Sequence, residues 1–282
     1  MADTRQKNIV WLASYPKSGN TWSRIFLGNY LLNRPRPISL NDLGNFGQGD
    51  SRRAQYEHLN GGPLAAGDVS GTLRVRSQVL NRISSNGADI NLLKTHNQNT
   101  AVGNANLIPR DLTRAAICFV RNPLDVVLSY AAHYGISHEK AAEEMADKHK
   151  SIGGSKSQVH QWTGNWSDHV LSWTGATGFP VHVMRYEDML DDPETAFSGM
   201  LKSLNVPIEQ QRLAKAIKFS SFNQVSAQER IAGFNEKLEG QGSFFRKGQS
   251  GQWKSDLDPR LVERIVEDHT HVMERFGYLP HT

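Results

Sequence analysis

Four short apolar runs punctuate the chain, at Ile9–Ala13, Ile90–Leu93, Ala116–Val120 and Val181–Met184. Each is too short for a helix and nearly unbroken, which predicts buried strands. Between and after them apolar residues recur at helical spacing. Trp22, Ile25, Phe26 and Tyr30 predict a helix that Asn33-Arg34-Pro35 stops. A second is predicted over Pro123–Ala132, with Asn122 as N-cap and proline at the first helical position. A third runs Pro193–Leu204, entered through Asp191-Asp192, and the last runs Leu261–Phe276. Strands alternating with helices predict an α/β fold: one domain over residues 1–282, with a doubly wound, mostly parallel sheet flanked by helices. Ligands in such sheets bind where strands end and helices begin.

Other stretches carry weaker patterns. Asn41–Gly87 is rich in Gly, Asn, Ser and Arg and reads as long loops with short helices. Trp162, Trp166, Val170 and Trp173 fall on one helical face and read as core, with His169 among them as a satisfied structural histidine. Glu139–Lys150 reads as a solvated helix face.

The 282 residues suffice for one large domain or two small ones. The net charge is +4, with basic residues scattered rather than blocked; this mildly favours anionic ligands, and an anionic small molecule explains the surplus as well as RNA does. No run approaches the roughly 20 apolar residues of a membrane helix. The polar start Met1–Arg5 has no signal-peptide pattern behind it. The single cysteine, Cys118, sits in an apolar run and reads as buried and inert. These features predict a cytoplasmic protein. No His/Cys/Asp spacing suggests a metal site, and none is expected.

The chemistry starts at VWLASYPKSGNTWSRIF, an apolar run, a Pro/Lys/Ser/Gly turn and a helix. Backbone amides and a helix N-terminus there can cradle a phosphate. Aligned on Gly19 with the Walker A pattern, only Gly19 and Thr21 match; Asn20 takes the lysine position and Lys17 precedes the glycine. ATP or GTP hydrolysis therefore fits poorly. A second anion-binding pattern is ICFVRNPLDVVLSY, where Arg121 ends a strand, Asn122-Pro123 open a helix, and Ser129 lies two turns on. By itself Arg121 could equally pair with Asp125. A third is FFRKGQSGQWK, where two glycines flank Gln249 and Ser250 behind Arg246 and Lys247. A fourth is LLKTHNQ, where Lys94 and His96 follow a strand.

The string Tyr15-Pro16-Lys17-Ser18-Gly19-Asn20-Thr21-Trp22 resembles the Y-P-K-S-G-T-T-W loop of the cytosolic sulfotransferases, differing only at Asn20. That family, whose fold is P-loop-NTPase-like, moves a sulfuryl group from 3′-phosphoadenosine 5′-phosphosulfate (PAPS) to an alcohol, phenol or amine, and needs no metal. The resemblance implies that Lys17, Ser18, Gly19, Asn20 and Thr21 hold the 5′-phosphosulfate and that Trp22 stacks on adenine. The other motifs resemble the family's R-N-P-x-D-x-x-x-S-Y, R-K-G-x-x-G-D-W-K and K-T-H. They imply Arg121, Ser129, Arg246, Lys247 and Gly248 at the 3′-phosphate, His96 as general base, and Lys94 on the sulfuryl oxygens. Ser129 would also restrain Lys17 until an acceptor arrives. Tyr186 in MRYEDM, and Ser220 and Phe222 in SSFNQV, would border adenine.

Two departures stand out. Gln252 replaces the aspartate of the third motif, which puts that loop's packing in question. Asn97-Gln98 replace an apolar residue and proline, which would alter the acceptor mouth. The implied product is adenosine 3′,5′-bisphosphate and the implied partner a small hydroxyl or amine acceptor. The loops 41–87 and 133–166, which would shape the acceptor site, carry no readable motif. A homodimer is left open, since no clear copy of the family's dimerisation segment is found near the C-terminus. The rival readings are a P-loop small-molecule kinase and a non-catalytic nucleotide- or RNA-binding module.

Overall fold

The structure, a computed structural model, describes residues 7–65, 67–238 and 242–280. The polar start, residues 1–5, lies outside them. In chain order the described residues form β1 (Ile9–Ser14), α1 (Asn20–Leu32), a 3-10 turn (Leu40–Asn45), β2 (Gln48–Gly49), α2 (Arg53–Asn60), α3 (Val69–Ser84) and β3 (Asn91–Thr95). There follow β4 (Ala101–Val102), β5 (Ala105–Asn106), β6 (Thr113–Val120), α4 (Pro123–Tyr134), α5 (His138–Ala146), β7 (Ser151–Ile152), β8 (Gln161–Trp162), α6 (Trp166–Thr174) and β9 (Val181–Arg185). The remainder is helical: α7 (Tyr186–Asp191), α8 (Pro193–Ser203), α9 (Gln210–Ser220), α10 (Phe222–Ala232), α11 (Trp253–Asp256) and α12 (Pro259–Phe276). The chain packs as two compact units. One comprises the residues up to Tyr15, Gly47–Cys118 and Asp147–Val183; the other comprises Pro16–Phe46, Phe119–Ala146 and the residues from Met184 onward.

The first unit holds a five-stranded sheet of order β2-β3-β1-β6-β9, the last two residues of β6 and β9 running on into the other unit's segments. β1 pairs parallel with β3, Ile9 opposite Asn91 through Ala13 opposite Thr95, and β2 also pairs parallel with β3. All six residues of β1 are buried, which explains its unbroken apolar run. The four expected strands form this sheet, giving the α/β, parallel-sheet architecture flanked by helices, and the strand–loop–helix opening is P-loop-like. The second strand starts at Asn91, and Ile90 before it is exposed.

Two sequence expectations fail in this unit. The stretch 41–87 was expected to hold only short helices, yet α3 runs for 16 residues. Asp68 caps it, accepting from the Gly71 amide, and Val75, Val79, Leu80 and Ile83 are buried; Gly71 and the surrounding polar residues hid this face. Trp162 was expected on a helical face with Trp166, Val170 and Trp173, but it lies in β8. Gly164, at φ +59°, breaks the chain, and Asn165 then caps α6 by accepting from the Asp168 amide.

His169 is buried as expected. Its ring meets Tyr15 edge-on at 5.6 Å between ring centres, and a hydrogen bond to the His96 backbone opposes part of what burial does to it. Burial pushes it down to about 3. In the second unit, burial likewise pushes His269 on α12 down to about 4. Both values lie below the 6.5 of a free histidine. As pH falls the unfolded chain therefore takes up protons first. Stability is full above pH 6.5, is lost progressively down to about pH 3, and is constant below as far as these groups go. At 1.36 kcal/mol per unit, the His169 displacement alone corresponds to roughly 4–5 kcal/mol. Between pH 7.5 and 5 about 1.5 of those units are crossed for each histidine, so urea titrations at the two pH values are expected to differ by roughly 2 kcal/mol per histidine, and His169→Phe is expected to halve the difference; an equal slope in the variant rules out His169 as a main source.

The second unit is helical. α1 ends where Asn33 adopts φ +49°, and α4 opens with Pro123 behind the Asn122 cap, as expected. Phe26 stacks on Phe197 at 4.0 Å, and Trp22 meets Phe197 edge-on at 5.6 Å. The expected solvated helix face in 139–150 is exposed at Glu139, Lys140 and Glu143, but α5 ends at Ala146 and buries Ala141, Ala142 and Met145. Cys118 is buried and burial pushes its thiol up to about 12. Among the described residues, no helix is long and apolar enough to cross a membrane, and no group of three or more His, Cys, Asp or Glu could hold a metal ion.

Candidate functional site

Lys17–Trp22, Arg121, Ser129 and Arg246–Gly248 all fall within the second unit. Lys17 and Gly19 both take positive φ, +70° and +102°. Left-handed residues this close together turn neighbouring amides toward one side, the geometry of an anion nest. Glycine is required at 19, since a Cβ there would stand 2.9 Å from the Tyr186 ring. No side chain caps α1 and its first turn holds no acidic residue, so the positive end of the helix dipole is uncompensated. Ser18, 1% exposed, leaves its Oγ without a partner.

Arg121 ties three motifs together. Its Nη1 donates to the Lys17 carbonyl at 3.1 Å and its Nη2 to the Gln249 carbonyl at 3.2 Å. The guanidinium lies 4.2 Å over the Tyr186 ring. These bonds use two of a guanidinium's five N–H donors, and the buried Nε has no partner. The alternative pairing with Asp125 is not formed. Asp125 instead accepts the amides of Gly251 at 2.6 Å and Trp253 at 3.2 Å. That carboxylate answers the question raised by Gln252, because the loop is anchored from α4. Gly248 admits no side chain, since a Cβ would stand 2.3 Å from Phe222.

The remaining expected contacts divide. Arg246 Nη1 donates to the carbonyl of Leu128, the residue before Ser129, at 3.1 Å, which brings the second and third motifs together. Lys247 instead pairs with Asp256 at 2.8 Å. Lys17 Nζ stands 4.1 Å over the Phe244 ring, and the amides of Phe244 and Phe245 are held by the Glu229 carboxylate at 2.6 and 3.0 Å. Trp22 meets Tyr186 edge-on at 5.9 Å, and its buried Nε1 has no partner. The Ser220 hydroxyl is turned back on its own helix, donating to the Ala216 carbonyl at 2.9 Å. Glu187 was missed by sequence reasoning. It accepts the Asn122 amide at 3.0 Å and the Tyr278 hydroxyl at 2.7 Å, bracing the turn that carries Arg121.

His96 and Lys94 belong to the first unit, at the end of β3. His96 Nδ1 lies 2.8 Å from the Ser14 carbonyl. A carbonyl only accepts, so Nδ1 carries the proton and Nε2 keeps its lone pair in the neutral ring. Asn97 is interior. It is 0% exposed, its Nδ2 donates to Asp50 at 2.9 Å, and its Oδ1 accepts the Trp162 amide at 2.8 Å. A polar residue stands here because every polar atom of it is used. The Gln98 amide donates to the Trp162 carbonyl at 2.7 Å, and its side chain packs on Gly164.

Known proteins show which family the chain resembles. The family model described as sulfotransferase domain matches residues 7–277. The chain is 26% identical over 284 residues to sulfotransferase 1 family member D1 of Mus musculus, covering 94% of this chain and 83% of the mouse protein. Cytosolic sulfotransferase 10 of Arabidopsis thaliana is 31% identical over 110 residues, covering 36% of this chain and 33% of that protein. Among solved structures, mouse sulfotransferase SULT7A1 complexed with PAP aligns at TM-score 0.61 and 19% identity, covering 95% of this chain and 85% of that one. Retinol dehydratase in complex with androsterone and inactive cofactor PAP aligns at TM-score 0.64 and 15% identity, covering 95% and 81%. With one family model running through nearly its whole length, the chain belongs to the sulfotransferase-domain family.

Proposed function

We propose that this protein is a PAPS-dependent sulfotransferase that transfers a sulfuryl group to a hydroxyl or amine of a small-molecule acceptor. The observation that carries the reading is the Arg121 clamp, which joins the opening loop, the glycine loop and Tyr186. Around it, Ser18 Oγ, Trp22 Nε1 and Arg121 Nε are buried without partners in the chain, as a bound nucleotide's polar groups require. We read residues 7–277 as one sulfotransferase domain, because a single family model runs through both units.

PAPS, when bound, supplies the sulfuryl group and a bisphosphate leaving group. The loop from Lys17 to Trp22 holds the 5′ end through amides and the α1 dipole. Arg121 and Arg246, with Ser129, hold the 3′-phosphate and separate this nucleotide from ATP. Lys17 supplies positive charge at the departing phosphate, and Lys94 orients the sulfuryl oxygens. His96 takes the acceptor's proton on Nε2, while the Ser14 carbonyl keeps Nδ1 protonated and the ring aligned. Sulfuryl transfer shares the in-line demands of phosphoryl transfer, so holding two oxygens in register is itself a large part of the rate.

Thermal unfolding with added nucleotide tests the reading. At about 100 times its dissociation constant, adenosine 3′,5′-bisphosphate is expected to raise the midpoint by roughly 5 °C, and ATP with magnesium by much less. An equal or larger shift with ATP favours a small-molecule kinase. Strongly salt-dependent oligonucleotide binding without nucleotide preference favours the RNA-binding module. A panel of phenols, aliphatic alcohols, amines and glycans with labelled PAPS then identifies the acceptor class.

A further inference from the structure

The loop that carries His96 is held by a buried ionic network that the sequence motifs do not include. Asp50 and Arg76 are both 0% exposed and pair at 2.7 Å. One oxygen of Asp50, Oδ2, also accepts the Thr95 hydroxyl at 3.0 Å and the Asn97 side-chain amide at 2.9 Å. Thr95 Oγ1 in turn accepts the Asn97 backbone amide at 3.0 Å. The two residues that flank His96 are therefore fastened to a single carboxylate oxygen. The Asp50 backbone amide donates to the Lys94 carbonyl at 3.0 Å, so the same residue also holds the strand end that carries Lys94.

Arg76 fixes Asp50 from behind. It donates to the Leu107 carbonyl through Nε at 3.1 Å and Nη2 at 2.7 Å, and to the Tyr56 hydroxyl at 2.9 Å. Tyr56 closes the ring by donating to the Asp50 carbonyl at 2.9 Å. From the far side Trp173 Nε1 donates to the Asn97 carbonyl at 3.0 Å. A buried ion pair is a poor device for stability, because desolvation offsets the attraction, but it is a good one for fixing geometry.

We propose that Asp50, backed by Arg76, is a positioning residue that sets the ring orientation and tautomer of His96 through Thr95 and Asn97. The inference rests on His96 acting as the base. Asp50 touches neither the imidazole nor any reacting atom; it fixes the peptide segment from which the ring projects. Displacement of a reacting group by about 1 Å can cost 10²-fold in rate, and the network is built to prevent that.

The test compares Thr95→Val, Thr95→Ser, Asp50→Asn and His96→Ala, using the acceptor chosen from the panel screen. Thr95→Val is expected to lower kcat roughly 10- to 100-fold while leaving KM for PAPS and the affinity for adenosine 3′,5′-bisphosphate unchanged. Thr95→Ser keeps the hydroxyl and is expected to recover most of that loss. Nitrogen-15 NMR of histidine-labelled protein provides a readout that needs no acceptor. The His96 signal, identified as the one missing in His96→Ala, is expected as a single Nδ1–H tautomer in the wild type and as a mixture in Thr95→Val and Asp50→Asn. An inactive His96→Ala beside a Thr95→Val of wild-type kcat and tautomer overturns this inference alone. Wild-type turnover in His96→Ala refutes the base assignment itself. A melting temperature lowered by more than ~10 °C in Thr95→Val assigns the hydroxyl to the core and overturns the positioning role.

Discussion

In His96→Ala, kcat for sulfuryl transfer falls roughly 10²- to 10⁴-fold, while adenosine 3′,5′-bisphosphate binds as tightly as to the wild type. The first half follows from the contact of the ring with the Ser14 carbonyl. With Nδ1 committed to the Ser14 carbonyl at 2.8 Å, Nε2 is the basic atom and alanine supplies nothing in its place. The second half follows from where the residues proposed to hold the nucleotide lie: Lys17 to Trp22, Arg121, Ser129, Tyr186 and Arg246 all belong to other segments of the chain. Steady-state rates with labelled PAPS and calorimetric titration with the bisphosphate separate the two. A His96→Ala protein that turns over at the wild-type rate removes the histidine from the mechanism.

Arg121→Ala gives the complementary phenotype, with affinity for adenosine 3′,5′-bisphosphate lowered roughly 100-fold or more. Two charge-assisted bonds of about 1.5–3 kcal/mol each account for a loss of that size. Truncation also strips the donors from the Lys17 and Gln249 carbonyls, so two anion loops lose their common tie. Arg121→Lys is expected to rescue little, because an ammonium cannot reach both carbonyls as a fork while stacking on Tyr186. Titration calorimetry checks both variants. Wild-type affinity in Arg121→Ala refutes the placement of the 3′-phosphate at this clamp.

The strands, their parallel pairing and the strand–turn–helix opening were legible because each is local. An apolar run, a proline behind an asparagine cap, or a glycine between a strand and a helix records its cause within a few residues. What escaped was tertiary. Asp50 lies in a stretch of glycines and polar residues, and Arg76 reads as an ordinary helix charge. Only folding brings them together across 26 positions of sequence. The same holds for Asn97, whose motif position suggested the acceptor mouth. Three of its interior partners come from distant positions, 50, 162 and 173. Trp162 misled differently, since its spacing from Trp166 and Trp173 fits a helix that Gly164 and the Asn165 cap forbid. Asp125 shows the converse: a residue inside a recognised motif that serves a distant loop.

The lone thiol has a practical corollary. Because Cys118 is sealed in the sheet and burial holds its ionisation near 12, maleimide dyes should pass it by at neutral pH. A cysteine introduced at an exposed position then becomes the one fluorescent handle on an otherwise native protein. Ligand-induced changes can be followed by emission without first mutating the natural sulfur away.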